Sequence, residues 1–203
     1  APGAVRGGAA PGGARGRAGA LVRATADRVE PPFRGSVIYV VEHNDGGTLG
    51  VVLNRASETA VYNVLPQWAK LATKPKTMYI GGPVKRDAAL CLATLRSGMD
   101  PTGVPGLRHV QGRIAMVDLD GDPDSIAPMI EGVRIFAGYS GWTIGQPEGE
   151  LERADWVVLS ALPRDVLVTP QLDLWYTCRR RNTNPMQMRA TQQTDTHPAV
   201  KPL

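Results

Sequence analysis

Aromatic side chains are scarce: two Phe, four Trp and five Tyr make up 5% of the 203 residues. A core built from this chain must therefore rest on Val, Leu, Ile and Ala. Cysteine is scarcer still. Cys91 and Cys178 alone exclude a disulfide framework and fit a reducing cytoplasm. No apolar run approaches the ~20 residues of a membrane-spanning helix. The first twenty residues carry Arg without an apolar h-region, so no signal peptide is expected. His43, Cys91, His109 and Cys178 stand isolated from one another, and no spacing fits zinc. No metal and no cofactor are expected.

Acids are nearly absent from the two ends. Residues 1–23 hold four Arg and no carboxylate, and residues 179–203 hold four Arg and one Lys against Asp195. The body, 24–178, keeps 14 basic and 18 acidic residues, a net of −4 under an overall charge of +4. The basic character belongs to the ends, which weighs against nucleic-acid binding by a folded face.

The chain divides accordingly. Residues 1–19, mostly Ala, Gly, Pro and Arg, lack the apolar surface to offset ordering entropy and read as a disordered extension. Residues 20–178 read as one domain, and 179–203 as a basic polar tail. The central stretch is SVIYVVEHNDGGTLGVVLNR, from Ser36 to Arg55. Two β-branched runs flank a turn rich in Asn, Asp and Gly, which predicts a β-hairpin. Near-continuous apolar character predicts cover on both faces.

Around this hairpin the pattern predicts further elements. Ala20–Ala26 reads as an edge strand. Val61, Val64, Leu65, Trp68 and Leu71 recur at helical spacing, with Pro66 breaking or kinking the helix. Thr77–Ile80 is a strand entering a tight turn, Gly81-Gly82-Pro83-Val84. Leu90–Leu95, Arg113–Leu119, Val133–Ala137 and Asp155–Leu159 read as strands, and Asp100–Gly106 as a loop. Asp122 before Pro123 is an N-cap signal for a short helix running to Glu131. A final helix is expected over Gln171–Cys178.

Several motifs occur in a fixed order: Glu42–Arg55, GGPV at Gly81–Val84, GYSGW at Gly138–Trp142, GQPEGELE at Gly145–Glu152, and DLW at Asp173–Trp175. In order and spacing they resemble the YqgE/AlgH family of bacterial proteins. The resemblance implies a compact α+β domain with a β-barrel-like, mainly antiparallel sheet and flanking short helices. It also implies a cytoplasmic bacterial protein and a regulatory assignment that identifies no mechanism. The chain departs from the family pattern at Ala56, at Pro147 and after Trp175, where a polar, Arg-rich segment follows.

Glu42-His43, at the end of a strand beside a glycine turn, is the first candidate site. A His can serve as general acid or base when a carboxylate orients it; alternatively His43 anchors the hairpin. Gly81-Gly82 followed by Lys85 and Arg86 offers backbone N–H groups and two cations to an anion. Tyr139, Gly141, Trp142 and Gln146 form a second glycine- and aromatic-bearing wall. If these turns converge with His43, they make a concave small-ligand site. Ser140 lacks the second glycine of a nucleophile elbow. Asp118, Asp120 and Asp122 begin like a calcium loop, but Pro123 and Met129 occupy its required Gly and Glu positions.

The first reading is a non-catalytic regulatory or binding module with an unidentified protein or small-molecule partner. The alternatives are a hydrolase acting on a phosphorylated or nucleotide-like molecule through His43, and non-specific nucleic-acid binding by the tails.

Overall fold

Along Val84–Leu95, burial alternates between two apolar layers. Val84, Ala88, Leu90 and Leu92 enter one cluster, and Ala89, Cys91, Ala93 and Leu95 enter another. The period of two places successive side chains on opposite faces of a sheet. Both faces of this strand are therefore core, and the scarcity of aromatics is met by small and branched residues packed in two layers.

The computed structural model describes residues 18–24, 36–44, 47–142, 156–161, 163–167, 174, 186–188 and 201–202. In chain order the strands are β1 (Ala20–Ala24), β2 (Val37–Asn44), β3 (Gly47–Val52), β4 (Ala56–Ala60), β5 (Thr77–Ile80), β6 (Val84–Leu95), β7 (Leu107–Gln111), β8 (Ile114–Val117), β9 (Ile130–Trp142), β10 (Trp156–Ser160), β11 (Met186–Met188) and β12 (Lys201–Pro202). Single helical turns stand at α1 (Val61–Val64), α2 (Pro123–Ile126) and α3 (Pro163–Val166). The strands join in the order β11-β10-β1-β2-β3-β9-β6-β8-β7, with β4 and β5 on a branch at β9. Pairing is antiparallel except between β5 and β9. The result is a curled half-barrel with few short helices, an α+β domain of the expected kind.

β9 is the hub. Its end, Ser140–Trp142, pairs with β3, its middle pairs with β5, and its length from Ile130 to Tyr139 pairs with β6. The inner layer collects Tyr39, Leu49, Val51, Tyr79, Phe136 and Tyr139, all buried. Tyr79 and Phe136 meet edge to face, with ring centroids 6.1 Å apart. Arg134, buried with them, lies 4.2 Å over the Tyr79 ring and donates to the Lys74 carbonyl at 3.0 Å. That ring and carbonyl offset the cost of taking the guanidinium out of water. The outer layer rests on Trp68, whose indole N–H donates to the Leu119 carbonyl at 3.1 Å.

The hairpin forms as its turn chemistry requires, with Asn44 opposite Gly47. Four sequence expectations are corrected, and one, the break at Pro66, is met. β1 is an interior strand, bonded to both β2 and β10. The helix over Val61–Leu71 breaks into α1 and a 3-10 turn at Pro66–Trp68, because Pro66 lacks the N–H needed to continue. The helix from Asp122 lasts one turn and passes through a second 3-10 turn into β9; Asp122 does cap it, accepting from the Asp124 N–H at 3.0 Å. β6 begins at Val84 rather than Leu90. GYSGW is the end of a strand and not a turn. The final-helix and GQPEGELE expectations fall outside the described residues, apart from Leu174.

Candidate functional site

Three backbones touch where β3, β5 and β9 meet. The Gly81 N–H donates to Ala137 at 2.9 Å, and the Gly81 carbonyl accepts from Val52 at 2.8 Å. A Cβ on Gly82 would lie 2.2 Å from the Tyr139 carbonyl oxygen, and one on Gly138 would lie 2.4 Å from the Gly82 carbonyl oxygen. Only glycine permits this approach. The buried Ser140 hydroxyl donates to the Gly81 carbonyl at 3.2 Å and ties the same junction. The GGPV and GYSGW glycines thus bring strands together.

The junction positions Arg86. Between Val84, opposite Tyr139, and Ala89, opposite Ala137, β6 carries extra residues that stand out of the ladder. Lys85 turns there with a φ of +50°, and the Arg86 Cα sits 3.4 Å from where a Gly138 Cβ would be. Arg86 then overhangs a cavity of about 260 Å³ lined by Ser57, Thr59, Val64, Met78, Ile80, Arg86 and Ala137. Ser57 and Thr59 come from β4, Met78 and Ile80 from β5, and Ala137 from β9. The Ser57 hydroxyl donates to the Met78 carbonyl at 2.6 Å, so it clamps β4 to β5. Arg55, half-buried, is joined to the cavity wall by the Ile80 N–H, which donates to the Arg55 carbonyl at 2.8 Å. Burial first, and the like charge of Arg86 second, hold the Arg55 guanidinium below its ordinary range. No carboxylate among the described residues forms an ion pair with Arg55 or Arg86.

His43 occupies a different place. Its Nδ1 and the Thr48 hydroxyl hydrogen-bond at 2.6 Å, cross-strand at the tip of the hairpin. A bulge at Val41 puts Glu42 opposite the buried Leu49 and His43 opposite Thr48, so the two side chains take opposite faces. Glu42 pairs with Arg108 of β7 and does not orient the imidazole through the strand. Thr48 in turn sits opposite Trp142, four residues along β9 from Gly138. At ~3.3 Å per residue and ~4.8 Å per strand, His43 and Arg86 stand on the order of 20 Å apart along the sheet.

Of the residues singled out in the sequence, Gly81, Gly82, Tyr139 and Arg86 gather around the junction, with Lys85 exposed beside them and Gly141 paired to Leu49. Tyr139 is buried in the inner core. Trp142 is described by its backbone position only, and Gln146 lies outside the described residues. Sequence reasoning missed Arg55, Ser57 and Thr59. Arg55 carried a signal, as the end of the hairpin motif; Ser57 and Thr59 carried none, because β4 is a short exposed strand without apolar alternation.

Comparison with known proteins agrees with this architecture. A family model described as AlgH-like matches residues 21–187. The chain is 75% identical over 186 residues to a UPF0301 protein of Mycolicibacterium vanbaalenii, covering 92% of each. It is 71% identical, with the same coverage, to one of Mycobacterium tuberculosis. Among solved structures it resembles a Corynebacterium diphtheriae protein with a TM-score of 0.77 at 37% identity, covering 84% of this chain and 88% of that one. It also resembles the AlgH protein of Pseudomonas aeruginosa, with a TM-score of 0.56 at 29% identity, covering 81% of this chain and 88% of that one.

Proposed function

The chain belongs to the AlgH-like family, and from that premise we propose that it is a non-catalytic binding module whose ligand enters the cavity beside Arg86. The observation that carries this reading is the composition of that cavity. Four of its seven lining side chains are apolar (Val64, Met78, Ile80 and Ala137), and Arg86 supplies the charge. Apolar walls with a few fixed polar groups suit recognition by shape and charge. The Ser57 hydroxyl, packed between the strands, already donates to a backbone carbonyl, and a nucleophile needs a base instead.

His43 belongs to this proposal as an anchor of the hairpin through Thr48. Ligand-observed NMR with a fragment library, and mass spectrometry of molecules co-purifying with the chain, test the reading together. The expected outcome is saturable binding that Arg86→Gln weakens and His43→Ala leaves within about twofold, as suits a residue outside direct contact. Time-dependent consumption of a ligand, abolished by His43→Ala, would sink it.

A further inference from the structure

We propose that Arg55 and Arg86 together hold the carboxylate of a small aliphatic acid whose chain lies in the cavity between β4, β5 and β9. This rests on the reading of that cavity as a ligand site, and it names the chemistry of the ligand. Arg86 lines the cavity; Arg55 stands opposite Ile80, next to the Ala56–Tyr79 pair, with its carbonyl accepting from the Ile80 N–H, so it shares the face on which Ile80 lines the cavity. Two guanidinium groups within electrostatic reach repel one another, and neither forms an ion pair with a carboxylate among the described residues. Such an arrangement is stabilised when an anion sits between the two charges.

The donors and the walls together select the anion. The Ser57 hydroxyl is taken by the Met78 carbonyl, and the Thr77 hydroxyl by the carbonyls of Ser57 and Thr59 at 2.6 and 2.8 Å. The guanidinium groups remain to bind a ligand, and Thr59 lines the same cavity. Their planar forks match the two oxygens of a carboxylate. A phosphate ester also suits such forks, but its second charge adds a desolvation cost against the apolar walls, so the single charge of a carboxylate is the better match. The apolar floor of Met78, Ile80 and Ala137 then takes the hydrocarbon. A volume of about 260 Å³ equals that of roughly nine waters, below the ~300–1,000 Å³ of drug-sized sites. It suits an acid of about six carbons.

The test titrates the full chain with hexanoate, hexanamide and hexyl phosphate, using calorimetry and the backbone amide resonances of Arg55, Ile80 and Arg86. Hexanoate is expected to saturate these resonances, and hexanamide to bind at least about tenfold more weakly, the loss of one charge-assisted contact. Arg86→Gln and Arg55→Gln should each lower hexanoate affinity by roughly tenfold and leave hexanamide unchanged. Arg86 is exposed, so its variant keeps the test open if Arg55→Gln fails to fold. Equal binding of hexanoate and hexanamide overturns the clamp while the cavity stands as a ligand site. Tighter binding of hexyl phosphate than of hexanoate overturns the carboxylate assignment. Absence of any shift at the cavity resonances with all three probes overturns the clamp, while the fragment screen above decides the binding-module reading separately.

Discussion

Replacing Gly138 by Ala places a methyl group 2.4 Å from the Gly82 carbonyl oxygen at a φ of +73°. Both the clash and the left-handed backbone oppose the change, and the atoms in the way are main chain, which cannot rotate aside. We expect a loss of about 2–4 kcal/mol in urea unfolding, together with weaker ligand binding, because the Arg86 Cα lies against the same position. Tyr39 makes the opposite case. Its hydroxyl is fully buried without a hydrogen-bond partner among the described residues. Removing an unsatisfied polar group relieves its desolvation cost, so Tyr39→Phe should be neutral or stabilising by up to about 1–2 kcal/mol. Burial also raises the ionisation of Tyr39 above its ordinary 10.0 and that of Cys91 above its ordinary 9.0. Above those values the unfolded chain releases protons that the folded chain keeps. Stability is therefore complete below about pH 9 and falls as pH rises beyond it, with a slope of up to about 1.4 kcal/mol per pH unit per group. Thermal melts from pH 8 to 11 check this sign, and Tyr39→Phe should flatten the fall above pH 10.

At the scale of elements, what was legible in the sequence followed the strength of local pattern. The hairpin of β2 and β3 was legible because β-branched runs and a glycine turn agree with each other. Asp122-Pro123 was legible because a cap is a local hydrogen bond. The break at Pro66 was legible because a missing N–H needs no context. The rest depended on distant partners. Gly81, Gly82 and Gly138 look alike whether they turn the chain, cradle an anion or let two backbones touch. Their actual contacts join distant residues, up to 59 positions apart in Ser140 to Gly81. β4 and β7 escaped notice because their mixed exposure, with few buried positions, leaves no apolar period to read. The candidate site was legible in the same proportion. Arg86 was found by its charge beside a glycine pair, whereas the cavity it overhangs is made by three strands whose adjacency only the fold supplies.

Across the whole molecule, β9 decides how the parts cohere. It pairs with β3 at one end and with β5 and β6 along the remainder. Amide hydrogen exchange should therefore be slowest in Cys91–Thr94 and at Phe136 and Ala137, where strands pair on both sides. It should be fastest in β4 and β7, which are bonded on one side among the described residues and open by local fluctuation. A map with β4 as protected as β9 would contradict this ranking. Such non-local pairing also places folding among the slower small-domain topologies, in the millisecond-to-second range expected of β-rich chains.

The shared strand has a mechanical consequence as well. Because β3 grips one end of β9 and β6 grips most of its length, a load that draws these neighbours apart along the strand axis must shear many hydrogen bonds together. The same load applied across the β7–β8 hairpin would unzip a few bonds at a time. The molecule is stiff along one direction and compliant along another, and Arg86 is mounted on the stiff axis.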